Sequence, residues 1–159
     1  MARDISELFE LLNQGRYRAI IIYVNPGDSL KLSEFAENIC SKHDGEYLDL
    51  LELFIKSKTL HENVDRFSPD DFRSLIIEHN KNTNLLVVDR IDFILDTWRR
   101  LQRKDFYTFI DNQWDCYKDS MDATLVICLE KRAEFEGLNI VDFQGSSRVF
   151  QLTDFNAIF

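Results

Sequence analysis

The segment Asn25-Pro26-Gly27-Asp28-Ser29-Leu30-Lys31-Leu32 follows an apolar block, Ala19 to Val24. It precedes apolar positions at helical spacing: Leu32, Phe35, Ala36, Ile39 and Cys40. Proline fixes φ and glycine permits φ > 0, so this is a turn joining a strand to a helix whose positive end faces the turn. Such a turn is a natural anion site. A triphosphate cradle needs small residues so that backbone N–H groups can close around phosphate, a lysine for the β/γ-phosphates, and a hydroxyl for Mg²⁺. With Lys31 in the lysine place, Gly27 and Ser29 are the other nucleotide-binding candidates. Asn25 and Leu30 stand where glycines are wanted, and Leu32 stands where the hydroxyl is wanted. A leucine in the left-handed conformation costs about 1–2 kcal/mol, and Asp28 repels a polyanion. Ser29 and Ser33 offer hydroxyls, both at the wrong offset.

A second candidate is Asp89, the last residue of the apolar run Asn84–Asp89. A carboxylate at the tip of a central buried strand is placed to hold a Mg²⁺ shell. Asp92 is a displaced second acid. Arg90 occupies the place of a water-activating glutamate, and its plainer reading is a structural pair that neutralises Asp89. Glu130, Lys131 and Arg132 follow another apolar run, Ala123–Leu129; they either meet an anion or mark the return of the chain to water. Arg99, Arg100, Arg103 and Lys104 form the basic cluster: a patch for an acidic partner or DNA, or a solvated helix face.

The elements that must position these groups are legible as period and punctuation. Ile5–Leu12 has helical periodicity, with Asp4 as N-cap and Gly15 as stop. Strands are expected at Arg18–Val24, Glu46–Leu50, Asn84–Asp89, Ala123–Leu129 and Val149–Leu152. Helices are expected at Leu32–His43, Leu51–Lys58 and from Ser68-Pro69 to His79, where Ser caps, Pro leads and acids fill the first turn. Thr59–Phe67 reads as loop. A long helix or helix pair spans Phe93–Tyr117, with Ile94, Trp98, Leu101, Phe109, Ile110, Trp114 and Tyr117 as its inner stripe. This order gives one three-layer α/β domain wound on a mostly parallel sheet.

Composition bounds the rest. A chain of 159 residues, 45% apolar, forms one domain with a real core. Its net charge of −9 opposes binding to nucleic acid or anionic membrane on its own. No signal-peptide pattern or membrane span is expected. Cys40, Cys116 and Cys128 lie in apolar segments and read as reduced thiols of a cytoplasmic protein. His43 near Cys40 lacks a second ligand pair for zinc. Thirteen phenylalanines are a surplus, which a Phe-rich core or a partner surface would explain. The Phe150–Phe159 tail packs on the core or docks another subunit. A receiver domain needs an acidic pair where Asn25-Pro26-Gly27 stands, and a Rossmann dinucleotide site needs G-x-G-x-x-G; neither is present.

Together these pieces resemble the P-loop NTPases of the additional-strand class. The loop at Asn25–Leu32 takes the place of Walker A, Leu85–Asp89 that of Walker B, and Ala123–Leu129 that of the sensor strand. VFQLTDF at Val149–Phe155 is similar to the last core strand of AAA-type and STAND-type ATPases, after which a helical lid normally begins. The chain stops there, so a lidless domain over residues 1–159 is expected. That layout looks most like the BrxF family of small P-loop proteins from BREX-type phage-defence systems. The resemblance spans essentially the whole chain, with Walker A departing from the pattern at Asn25, Leu30 and Leu32. Lys31 and Asp89 carry over as matching positions, with Asp92 third. It implies an accessory subunit of a multi-protein antiviral defence assembly, whose partners are other protein subunits and, in a homo-oligomer, copies of itself. On this reading no cofactor is required and no enzymatic activity is expected. One alternative is an active ATPase or GTPase using ATP and Mg²⁺ with Asp89 and Asp92 catalytic, completed by an arginine from a neighbour; another is a DNA-binding component acting through Arg99–Lys104.

Overall fold

The apolar blocks become five strands: β1 (Ala19–Val24), β2 (Glu46–Asp49), β3 (Leu85–Asp89), β4 (Thr124–Glu130) and β5 (Val149–Gln151). The computed structural model describes residues 3–14, 17–114, 123–142 and 144–156. All strand pairs are parallel, in the order β2-β3-β4-β1-β5. Strand β4 is therefore inserted between β1 and β3, and the carboxyl ends of β1, β3 and β4 share one edge. Continuous burial along β3 and β4 follows from helices on both faces.

Period-two alternation divides the core in two. Ile20, Ile22, Val87, Val126 and Cys128 face α1 (Ile5–Gln14) and α2 (Ser29–His43). Ile21, Leu86, Val88, Leu125 and Ile127 face the other layer. That layer comprises α3 (Leu50–Lys56), α4 (Lys58–Glu62), α5 (Pro69–Asn80), α6 (Asp92–Thr97) and α7 (Arg100–Thr108). Phe72 packs edge-on against Trp98, Phe106 and Phe109. Every described phenylalanine is buried or half-buried, so the surplus fills the core. Phe150 and Phe155 are among them, which seats the tail as far as residue 156 on the sheet.

Local chemistry sets the boundaries. Asp4 accepts from the Ser6 amide at 2.8 Å, as its cap role requires; Gly15 lies outside the described residues. Ser68 and Asp71 form a reciprocal capping box, with Pro69 leading α5. Helix α2 begins at Ser29, three residues earlier than expected, because the Asp28 carbonyl accepts from both Lys31 and Leu32 amides. Thr59–Phe67 is not loop: Ser57 caps α4, and a 3₁₀ turn covers Val64–Arg66. Its apolar signal is short, but Leu60 and Val64 pack on the core. Of the two expectations from Phe93 onward the helix pair holds: the helices are divided at Trp98 and Arg99, both extended, with no glycine or proline to signal it. The break lets Trp98 enter the core and donate its indole N–H to the Phe67 carbonyl at 2.7 Å. Past that break Leu101 is 75% exposed, so it leaves the inner stripe; Tyr117 and Cys116 lie outside the described residues. Among the described residues no helix is long and apolar enough to cross a membrane.

A buried arginine fastens the sheet's opposite edge. After α7 the helix widens into a π turn at Phe109–Gln113. Arg148, 2% exposed, donates to the Asp111 carbonyl (2.7 Å), the Asp111 carboxylate (2.8 Å) and the Ala19 carbonyl (2.8 Å). It also donates to Val141 O at 3.0 Å and lies over the Tyr17 ring. Arg148→Ala is expected to lower stability by about 3–5 kcal/mol, since it strands these acceptors in the interior; urea unfolding curves check this.

Candidate functional site

Asn25-Pro26-Gly27-Asp28 closes within four residues, with the Asp28 amide donating to the Asn25 carbonyl at 3.1 Å. Gly27 has φ +98°, which suits the third position of a type II turn after proline. A Cβ there would meet nothing within 4 Å, so the dihedral and not crowding requires glycine. The Gly27 amide, which a phosphate would use, donates instead to Glu130 Oε2 at 3.1 Å. The Asp28 carbonyl holds the amides of Lys31 and Leu32. Lys31 is solvent-facing, 3.9 Å from the Asp28 carboxylate, and Leu30 is 82% exposed. Ser29 opens α2 and lines a small cleft beside Asp89.

Asp89 is 2% exposed at the tip of β3. Alternation turns it toward α2, on the same face as Val87. Its Oδ2 accepts from Ser33 Oγ at 2.6 Å and Tyr47 Oη at 2.6 Å, and its Oδ1 accepts from the Arg90 amide at 2.8 Å. Burial, and next the bond to Asp89, push the Tyr47 phenol well above its ordinary value, so it stays a donor. Arg90 does not neutralise Asp89. In the left-handed conformation at φ +56°, it sends its guanidinium to Asp49, donating from Nε at 2.9 Å and also from Nη2 to the same oxygen. Asp49 pairs across from Asp89 in the β2–β3 register, which makes it the near acid.

Asp92 faces the exit of β4. Its Oδ1 accepts from the Glu130 amide at 2.9 Å, and Arg132 bridges the Asp92 carbonyl (3.0 Å) and the Asp96 carboxylate (2.9 Å). Burial is the leading reason that the Asp92 carboxyl lies above its ordinary value. The structure thus brings Gly27, Ser29, Lys31, Asp89 and Asp92 to one edge. Of the basic cluster, Arg99 precedes α7 and Arg100, Arg103 and Lys104 lie on it; Arg103 alone turns to the edge, pairing with Glu134.

Two clefts open at this edge. One of about 150 Å³ is lined by Ser29, Leu32, Asp89, Arg90, Asp92 and Phe93, among others. It is below the roughly 300 Å³ typical of a ligand pocket, and its walls are largely apolar. The other, about 350 Å³, is lined by Pro26, Asp92, Asp96, Glu130, Lys131 and Arg132, with Glu134 beyond. Four carboxylates against two cations oppose a phosphate there. Nor do the residues fit Mg²⁺. Both Asp89 oxygens already accept hydrogen bonds, Asp92 Oδ1 accepts from the Glu130 amide, and the remaining wall is mostly leucine and phenylalanine, whereas the ion wants six ordered oxygens. Among the described residues, no three His, Cys, Asp or Glu side chains are grouped to hold a metal.

Tyr47 and Asp49 are the site residues that sequence reading missed. Both lie on a short edge strand whose alternation signals burial but not a partner. Ser33 was legible as a hydroxyl; its place one helical turn beyond Ser29 puts it over the strand tips. Comparison with protein-family models and with curated proteins gives no match for the chain.

Two measurements test this geometry. Tyr47→Phe keeps the ring and removes one donor to a buried carboxylate, so stability falls by about 1.5–3 kcal/mol in urea unfolding. Asp92→Asn is expected to raise stability at neutral pH. The raised carboxyl makes ionisation in the folded state unfavourable, so the native chain loses stability as pH climbs through that raised value. The variant's advantage, read from unfolding midpoints, shrinks as pH falls toward about 3.9.

Proposed function

We propose that this chain is a non-hydrolysing, P-loop-like accessory or regulatory subunit of a multi-protein assembly. The observation that carries this reading is Asp89: Ser33, Tyr47 and the Arg90 amide already donate to it, two to Oδ2 and one to Oδ1, so its charge is spent on internal hydrogen bonds. The Glu130 carboxylate at the Gly27 amide supports it, because an internal anion takes the place that phosphate would fill. The strand order, with β4 between β1 and β3, is compatible with an additional-strand P-loop domain. On that footing the turn is a structural joint, and the polar groups of the edge pair with one another. The resemblance to BrxF proteins makes an antiviral defence complex the proposed setting, with other protein subunits or further copies of the chain as partners.

Calorimetric titration of the purified chain with ATP and Mg²⁺ is expected to give no binding heat and no phosphate release. Micromolar binding that Lys31→Ala removes, or turnover that Asp89→Ala abolishes, would establish a working NTPase instead.

A further inference from the structure

Of the basic cluster at the start of α7, only Arg103 reaches the edge described above, through Glu134. Arg103 turns inward, its Nε 3.1 Å from Glu134 and its Nη1 donating to the Trp98 carbonyl at 2.7 Å. Arg99, Arg100 and Lys104 are exposed, and among the described residues none of their side chains meets an acid. Asp105, the nearest acid in sequence, is exposed too and pairs with none of them. Leu101, 75% exposed, lies three residues from Lys104, and Lys104 four from Arg100, so these three share one stripe of α7, with Arg99 at its N-terminal end.

This placement is unfavourable for the chain alone. Cations in the first turn of a helix meet the positive end of its macrodipole. Arg100 and Lys104, four residues apart, are like charges on one stripe. No acid occupies the first turn of α7, although the chain has 28 acids to 19 bases. A merely solvated face has no need of this arrangement, whereas an acidic partner would relieve both repulsions at once.

We propose that Arg99, Arg100, Leu101 and Lys104 form the docking surface for an acidic segment of a partner protein that brings an apolar side chain to Leu101. This deepens the accessory-subunit reading and rests on it for the existence of a partner. On a molecule of net charge −9, an acidic partner is repelled from most of the surface and steered to this spot, which fixes its orientation. Nucleic acid fits less well. Three exposed cations neutralise about three phosphates, and Trp98 beside them is 3% exposed and offers no face for a base.

The test uses the full chain and a fluorescent synthetic peptide, about 20 residues long and helical, rich in Glu and Asp with a leucine stripe. Fluorescence anisotropy at low salt is expected to show binding that weakens at least about tenfold in Arg100→Glu/Lys104→Glu and, separately, in Leu101→Ser. The charge-matched Lys42→Glu/Lys81→Glu leaves it unchanged. Thermal melts of the parent and of both patch variants are read alongside, so that lost binding is separated from lost folding. Absence of peptide binding at low salt, or equal binding by parent and both patch variants, overturns the proposal. Tighter binding of an oligothymidylate than of the peptide overturns it in favour of nucleic acid. Self-association in sedimentation that the double variant abolishes overturns it in favour of a second copy. Nucleotide titration reads the underlying function separately: a flat titration with no peptide binding removes the surface alone. Nucleotide binding alongside patch-dependent peptide binding keeps the surface and removes the non-hydrolysing reading.

Discussion

A carboxylate held almost wholly out of water at the tip of β3 is the constraint on which the carboxyl end of the sheet depends. Burying the Asp89 charge is tolerable only if hydrogen bonds replace its hydration. The donors come from three places: Ser33 on α2, Tyr47 on β2 and the next amide in the chain. Satisfying one charge therefore fixes the helix after the loop, the edge strand and the exit of the central strand together. The left-handed Arg90 is part of the same solution, because its backbone turn delivers the amide to Asp89 while its side chain neutralises Asp49.

The remaining polar groups at this edge follow the same logic of internal pairing. Glu130 accepts from Gly27, Asp92 accepts from Glu130, and Arg132 ties the start of α6 to the end of β4. A polyanion would have to compete with carboxylates already in place. On the proposed reading the edge has exchanged ligand binding for rigidity, which suits a subunit presenting a fixed surface to others. Charge then matters on α7 instead, where Arg100 and Lys104 meet no acid among the described residues.

At the opposite edge, Arg148 repeats the principle with the sign reversed. A guanidinium brings five donors in a fixed fork, and the widened turn after α7 turns the Asp111 carbonyl and carboxylate toward it. The same cation reaches the first carbonyl of β1. Each edge of the sheet is thus closed by a buried ion with its complement of partners, while the two apolar faces between them are packed by alternation.

The sequence by itself determined the strands, the layered α/β architecture and the Pro-Gly turn, because these depend on apolar period and on backbone preferences carried by single residues. The acids Asp89, Asp92 and Glu130 were legible as groups emerging at strand tips for the same reason. Tertiary structure alone decided who their partners are. Arg90 was nearest to Asp89 in sequence, yet strand register placed Asp49 closer to its guanidinium. Leu101 had the spacing of an inner residue, yet the extended Trp98-Arg99 link rotated it outward. Hydrogen bonds to a buried charge are short-ranged and directional, so they are set by register and crossing geometry that no local pattern encodes.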